Sequence, residues 1–355
     1  MSNSFFIPNR LNWIDWAKAL AITFVVYGHI PAERGDFLHN YITSFHMPLF
    51  FFISGYLTKK EYMGKATLTK YWYTLIIPYL CYNILFYPYW AIKFTIDYPT
   101  TGWYDYIKPI IGTLMLQIKT PFNDYLNGVT WFIAALFMMK IILSVCNKYK
   151  KGKYVIYLLV IITALFYIAN EFEHYISGLI PVNFTRCFPF FILGYYSRQK
   201  NIISENFKKS DITICITGLL IGITAYTIVR HRYNIPLYGI SYWVMCLSSI
   251  IGFFSLCKLL DGFKSKIIEN ISMGTIVIMG LHWMFIGTTN FILSKLLHMN
   301  GGITYPPFVV ILLSLVFVAL EYPIILLFKN RFPFMLGKRN NMSFKIMNHS
   351  KNPAN

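Results

Sequence analysis

Residues 13–29, WIDWAKALAITFVVYGH, decide how this chain folds. The run is apolar enough to enter a membrane, yet it carries Asp15 and Lys18 near one end and His29 at the other. Ionisable groups inside a membrane span are costly, and they usually face a bundle interior or a watery cavity. Two interpretations are open. Either the three groups line an interior site, or they lie at the two membrane surfaces, with Lys18 snorkelling and His29 ending the helix.

The composition is that of an integral membrane protein. Of 355 residues, 56% are hydrophobic, 19% aromatic and only 13% charged, with a mean hydropathy of +0.50, whereas about 25% of residues are charged in soluble domains. We predict an all-α polytopic protein of the inner or plasma membrane, with about ten transmembrane helices near the ~20 residues that cross the hydrocarbon. The predicted spans are residues 12–31, 43–58, 72–94, 126–146, 154–171, 183–197, 211–229, 239–258, 271–294 and 305–328.

The charge distribution predicts the topology. The formal net charge is +18, but the lysines and arginines lie between apolar runs rather than along one stripe, which argues against a nucleic-acid partner. Short loops rich in Lys and Arg face the cytoplasm, and here they alternate with acidic loops, so both termini are predicted to be cytoplasmic. Residues 106–118 are predicted to be an external interfacial or re-entrant segment, because one more span would put KYKKGK at 148–153 outside.

The chain is predicted to form one membrane domain, residues 1–337, followed by a basic, disordered cytoplasmic tail, residues 338–355. The first apolar run lacks a signal-peptide cleavage site and is expected to stay in the mature protein. The six cysteines fall singly in apolar runs, so their spacing indicates neither a disulfide framework nor a metal site.

Helix geometry places the three ionisable groups of residues 13–29 together. Lys18 and His29 are eleven residues apart, so at about 100° per residue they share one helix face and lie about 16 Å apart along the axis. Asp15, three residues before Lys18, joins this face. With the N-terminus inside, Asp15 and Lys18 lie near the cytoplasmic surface and His29 near the external one.

The next predicted span contains SFHMPLFFFISGYL, residues 44–57, with His46 near its external end. WIDxxKxxAIxxVVxGHI followed by FHMPLFFFISGYL resembles the opening of the acyltransferase-three family of integral-membrane acyltransferases, nearest the fucose O-acetylase-like branch. Lys18 and His29 match the family's motif of a basic residue, ten intervening positions and a histidine. Later landmarks follow in the usual order, namely LIIPY at 75–79, WFIAAL at 131–136, RCFPFFILGY at 186–195, SMGTIVIMGLH at 272–282 and Glu321.

The resemblance implies transfer of an acyl group, usually acetyl, from acetyl-CoA on the cytoplasmic side to a hydroxyl of a carbohydrate or lipid-linked glycan. His29 is then the general base, and His46 a proton relay or oxyanion donor. Lys18 is expected to attract the donor phosphates, with Asp15 orienting it and Lys70 in the basic loop contributing charge. Membrane lipids are the other expected partners.

Four further residues keep two roles open. Arg186 either binds the acceptor or bridges helices, and Trp131 either stacks on a sugar or packs. His282 either joins the site or bonds a neighbouring helix, and Glu321 either acts there or pairs with Lys18 or another cation for stability. The competing function is a transporter or flippase, since intramembrane ionisable groups are common in carriers, although the halves show no evident inverted repeat.

Overall fold

The computed structural model describes residues 10–118, 125–169, 183–204, 206–231, 235–298 and 303–338. Within these ranges the chain forms thirteen α-helices, and extended pairing is limited to one bridge between Ala32 and Tyr305. The helices are α1 Asn12–His29, α2 Phe37–Tyr56, α3 Lys65–Tyr71, α4 Ile77–Asp97, α5 Trp103–Leu114, α6 Trp131–Lys148, α7 Gly152–Ala169, α8 Phe184–Gln199, α9 Ser210–His231, α10 Ile235–Leu259, α11 Lys266–Met273, α12 Thr275–Leu296 and α13 Pro307–Arg331. The all-α prediction is confirmed for this part of the chain, and the tail beyond residue 338 lies outside it.

Six helical stretches are long and apolar enough to cross a membrane, which makes this a multi-pass membrane protein. They are Lys65–Asp97, Gly128–Lys148, Ser210–Arg230, Gly239–Leu259, Thr275–Leu296 and Pro307–Arg331. They coincide with six of the ten predicted spans. The other four predicted spans correspond to α1, α2, α7 and α8, which are helical but shorter or more polar.

Helix α1 is the centre of the bundle and packs against α2, α10, α11, α12 and α13. Its buried Ala17, Ala19 and Ala21 let neighbouring helices approach closely. Leu11 precedes the helix, and its apolar side chain cannot accept a capping hydrogen bond. Instead the Asp261 carboxylate, from the loop after α10, accepts the Trp13 backbone N–H at 2.8 Å. The loop between α10 and α11 therefore fixes the end of α1 from which Asp15 and Lys18 project.

Helices α2 and α8 touch backbone to backbone through a pair of glycines. A Cβ added at Gly55 would lie 1.9 Å from the carbonyl oxygen of Phe191, and one added at Gly194 would lie 2.1 Å from that of Phe52. No side chain fits at either position without separating the helices. In lipid there is no hydrophobic driving force between helices, so association depends on van der Waals packing. Small residues at a crossing allow the close approach that this packing needs.

The segment from α3 to α4 is continuous but irregular. A π-helical turn, Trp72–Ile76, joins the two helices, and the last described turn of the chain, Pro333–Leu336, packs beside it. The Tyr82 hydroxyl donates to the Met335 carbonyl at 2.8 Å. The C-terminal end of the described bundle is thus anchored to α4.

Helix α5 covers most of the segment predicted to lie outside or re-enter the membrane. Its 12 residues reach about 18 Å, which is less than the ~30 Å hydrocarbon core. Beyond it the buried Gln117 side-chain amide donates to the Asn127 carbonyl at 2.9 Å, and Asn127 in turn donates to the Gly280 carbonyl of α12 at 2.8 Å. The segment thus ends in buried hydrogen bonds within the bundle, and its interfacial or re-entrant path stays a prediction.

Candidate functional site

His29, the last residue of α1, lies against His282 of α12, with ring centroids 5.0 Å apart. His29 is partly exposed, whereas His282 is fully buried at 0% exposure. Nδ1 of His282 is 2.7 Å from the carbonyl oxygen of Ile278. A carbonyl can only accept, so Nδ1 carries the proton and Nε2 of the neutral ring keeps its lone pair. Nε2 has no hydrogen-bond partner among the described residues.

His46 of α2 is a third imidazole near this site, and it is buried. Its Nδ1 donates to the Thr43 carbonyl at 2.9 Å, so its Nε2 is likewise left as the basic nitrogen. The ring lies beside α1, because a Cβ added at Gly28 would be 3.6 Å from His46 Cε1. The sequence paired His29 with His46, and the structure adds His282 as the ring next to His29. His282 bonds its own helix rather than a neighbouring one.

Arg186 binds a backbone carbonyl of α2 that Pro48 leaves without its helical donor. Pro48 has no N–H, so the carbonyl of Ser44, one turn earlier, lacks its helical donor. An Arg186 guanidinium nitrogen donates to this carbonyl at 3.0 Å, and Nε donates to the Tyr242 hydroxyl at 2.6 Å. Arg186 of α8 thus links α2 and α10 through hydrogen bonds to two neutral oxygens. One of these, the Ser44 carbonyl, lies two residues before His46 in α2.

Lys18 borders a cavity of about 140 Å³ between α1, α2, α6 and α12. The lining is mainly apolar, with Ser54 and Thr275 as its hydroxyl groups. Met279, one turn before His282, also lines it. The cavity therefore lies between the level of Asp15 and the level of the histidines.

A larger cavity, about 590 Å³, opens at the end of the bundle where α1 begins. Four cationic side chains line it, those of Arg10, Lys59, Lys60 and Arg198, and we call this end the basic end. Leu57 borders both this cavity and the Lys18 cavity, so the two adjoin. Residues from three separate stretches of sequence, with the carboxylate of Asp15 among them, thus meet in one concavity in which cations outnumber anions.

Asp15 faces the basic end, but its hydrogen bonds go to residues other than Lys18. Arg10 binds its carboxylate with two nitrogens, Nε at 2.6 Å and a terminal nitrogen at 2.8 Å, and the Ser272 hydroxyl donates at 2.6 Å. The hydrogen bond that Arg10 donates to Asp15 raises the pKa of Arg10, although burial opposes this. Arg10 also pairs with Glu269 at 3.0 Å. Asp15 therefore positions Arg10, and the expected orientation of Lys18 by Asp15 is not seen among these bonds.

Lys70 does not line either cavity described above. Its ammonium pairs with Glu61 in the loop before α3. Burial alone would raise the pKa of Glu61, but hydrogen bonds from Lys70 and Tyr71 hold it below its ordinary value. The charge of Lys70 is thus neutralised locally, which separates it from the cluster of Arg10, Lys59, Lys60 and Arg198.

Glu321 and Trp131 occupy buried or half-buried packing positions. Glu321 of α13 is 0% exposed, and neither carboxyl oxygen has a hydrogen-bond partner among the described residues. The ion pair with Lys18 considered from the sequence is therefore absent from this part of the chain. Trp131 stacks on Phe51, with ring centroids 5.8 Å apart and the planes inclined by 30°. This contact is the packing role that the sequence left open.

Sequence reasoning missed Trp283, the residue after His282. Its indole centroid is 6.3 Å from that of the His29 ring, and 39% of the residue is exposed. A tryptophan in an aromatic-rich span carries no distinguishing signal, because such residues are common in packing and in interface belts. Only the long-range contact between α1 and α12 identifies it as part of the site.

Comparison with known proteins identifies the family of the chain. A family model described as an acyltransferase domain matches residues 11–325. The Nodulation protein NolL of Mesorhizobium japonicum is 28% identical over 203 residues, which cover 54% of this chain and 48% of that protein, so the chain spans about half the length of this relative. No solved structure matches the chain. The family match extends from the residue before α1 into α13 and includes all three histidines, the Lys18 cavity and Glu321. On this basis the chain belongs to the acyltransferase-three family of integral-membrane acyltransferases.

Proposed function

We propose that the protein transfers an acetyl group from acetyl-CoA to a hydroxyl of a sugar or glycan acceptor. The observation that carries this proposal is the contact between His29 and His282 at the C-terminal end of α1. The Lys18 cavity and then the basic end follow along the helix towards its N-terminus. Helix α1 thus connects the basic end, where an anionic donor would bind, to the pair of imidazoles. The match to the family supports acyl transfer, and the donor and acceptor assignments rest on the chemistry of these residues.

The basic end suits the donor nucleotide. Coenzyme A carries a pyrophosphate and a ribose phosphate, and Arg198, Lys59 and Lys60 among the lining cations suit phosphate contacts. Asp15 assists indirectly, because it fixes Arg10 in place with two hydrogen bonds. Lys18 lies further in, beside a narrow apolar cavity that suits an extended pantetheine arm. In the predicted topology this end faces the cytoplasm, where acetyl-CoA is made.

The transfer step then requires a base at the far end of the arm. The acceptor oxygen attacks the thioester carbonyl carbon, a C–O bond forms and the C–S bond breaks. His29 takes the hydroxyl proton and returns it to the departing thiolate of coenzyme A. Nε2 of His282 accepts a hydrogen bond from the protonated His29 and stabilises its charge. His46, with its proton also held on Nδ1, offers a second basic nitrogen as a proton relay.

The test uses purified full-length protein in detergent with acetyl-CoA labelled in the acetyl group and glycans from the source cell as acceptors. We expect coenzyme A release coupled to a glycan mass gain of one acetyl group, without any ion gradient. His29→Ala should lower transfer by about 10²- to 10⁴-fold and leave acetyl-CoA affinity near wild type. His298→Ala is the matched control, because His298 is an exposed histidine beyond the end of α12. Full transfer by a well-folded His29→Ala protein, or solute flux without acyl transfer, would overturn the proposal.

A further inference from the structure

The indole ring of Trp283 lies beside His29 and is partly exposed. The two ring planes are inclined by 45° with centroids 6.3 Å apart. His282 next to it in sequence is fully buried, whereas Trp283 is 39% exposed. A large apolar ring is thus left open immediately beside the imidazole that the proposed function uses as its base.

Two neighbours pack against the indole ring. A Cβ added at Gly128 would lie 2.8 Å and 3.1 Å from two atoms of the six-membered ring, so a glycine there lets the indole rest on the backbone. The Phe86 ring of α4 stacks on it, with the two planes inclined by 20° and the ring centroids 6.1 Å apart. The ring is therefore packed against the Gly128 backbone and the Phe86 ring.

Buried hydrogen bonds fix the backbone on which the indole rests. The Asn127 side-chain amide donates to the Gly280 carbonyl at 2.8 Å, which ties the residue before Gly128 to the helix that carries Trp283. The Thr130 hydroxyl donates to the Asn127 carbonyl at 2.7 Å, and the Gln117 amide donates to that hydroxyl at 2.8 Å. The position of the Trp283 ring is thus preorganised by these hydrogen bonds rather than formed on binding.

We propose that the open face of Trp283 is the platform on which a pyranose ring of the acceptor rests during transfer, an inference that builds on the proposed acyltransferase function. The C–H bonds on one face of a pyranose are weakly positive and apolar, so they complement the negative face of an indole. A sugar lying there carries its hydroxyl groups to the edge of the platform, where His29 is. Trp283 then selects a flat-faced sugar and orients it, while His29 takes the proton.

The experiment measures acetyl transfer from acetyl-CoA to p-nitrophenyl glycopyranosides by full-length protein in detergent. Trp283→Leu, which keeps an apolar side chain without an aromatic face, should raise the acceptor KM about tenfold while the acetyl-CoA KM stays within about twofold. Trp283→Phe should recover most of the acceptor affinity. The control is Trp103→Leu, because Trp103 is 75% exposed at the start of α5 and belongs to no part of the proposed site. Thermal unfolding of each variant confirms that it is folded.

The outcomes separate this inference from the proposed function. An unchanged acceptor KM in folded Trp283→Leu protein would overturn the platform and leave the acyltransferase proposal standing. Wild-type protein that acetylates simple alcohols but no glycopyranoside would do the same. Wild-type protein that releases no coenzyme A with any alcohol or glycan would overturn the acyltransferase proposal, and the platform with it.

Discussion

Substitution of Gly55 by alanine tests whether the contact between α2 and α8 holds the site together. The new Cβ would lie 1.9 Å from the Phe191 carbonyl oxygen, whereas Cβ contacts essentially never fall under 3.0 Å. The difference, 3.0 − 1.9, requires the helices to separate by about 1.1 Å. Because the obstacle is backbone, no side-chain rotation relieves it. We expect a loss of about 3 kcal/mol, the upper end of the usual range for overpacking, which appears as a lower Tm.

The same displacement should reach the chemistry. Helix α2 carries His46 and the Ser44 carbonyl, and α8 carries the Arg186 side chain that binds this carbonyl at 3.0 Å. A misplacement of about 1 Å in a catalytic constellation costs up to about 10²-fold in rate. Acetyl transfer by the fraction of Gly55→Ala protein that remains folded should therefore fall by a factor of this order.

The assay combines thermal unfolding in detergent with initial rates of coenzyme A release. Gly64→Ala is the matched control, since no heavy atom lies within 4 Å of its added Cβ and its φ of −171° is extended backbone. That variant should unfold and react like wild type. A Gly55→Ala protein with wild-type Tm and wild-type rate would refute the reasoning, because the two helices would then tolerate separation.

Three further predictions concern the site and its mouth. His282→Ala should lower transfer by about 10²-fold or more with little change in the acetyl-CoA KM, because it removes a partner of the base; a rate within threefold of wild type would contradict this role. Arg198→Gln should raise the acetyl-CoA KM, with the larger effect at low ionic strength, and a KM that does not change with salt in either protein would argue against a phosphate contact. The pKa of Glu61 is lowered in the folded protein, so the stability it contributes is present above its ordinary value of 4.5 and is lost as the pH falls through the lowered pKa; Glu61→Gln should flatten this part of the profile of Tm against pH, and an unchanged profile would show that the Lys70 pair contributes nothing.

The sequence was sufficient for what depends on one helix at a time. The shared helix face of Lys18 and His29 follows from helix geometry alone. Of the ten spans predicted from the apolar runs, six coincide with helices that are long and apolar enough to cross a membrane. The family resemblance, carried mainly by the first two apolar runs, was confirmed by the match over residues 11–325. Periodicity and motif order need no knowledge of which helices touch.

The contacts between distant helices could not be predicted. Asp261 caps α1 across 248 residues of sequence, and Glu269 of α11 accepts a hydrogen bond from Arg10 across 259 residues. Both pairings depend on where the chain after α10 lies, which no local pattern encodes. The role of Pro48 was readable in principle, since a proline always leaves a carbonyl without its donor one turn earlier. That Arg186 would satisfy this carbonyl required the packing of α8.

The π-helical turn at Trp72–Ile76 has a consequence for how relatives of this chain can vary in length. A π turn contains one residue more than an α turn, so the helix accommodates an additional residue here without breaking. Each such residue rotates everything before it by about 100° relative to α4. Here that rotation brings the buried Tyr71 beneath the ammonium of Lys140, 5.7 Å from the ring centroid. Deletion of one residue from the turn would swing Tyr71 away from α6 and expose another face of α3, which is a reorientation that substitution alone cannot produce.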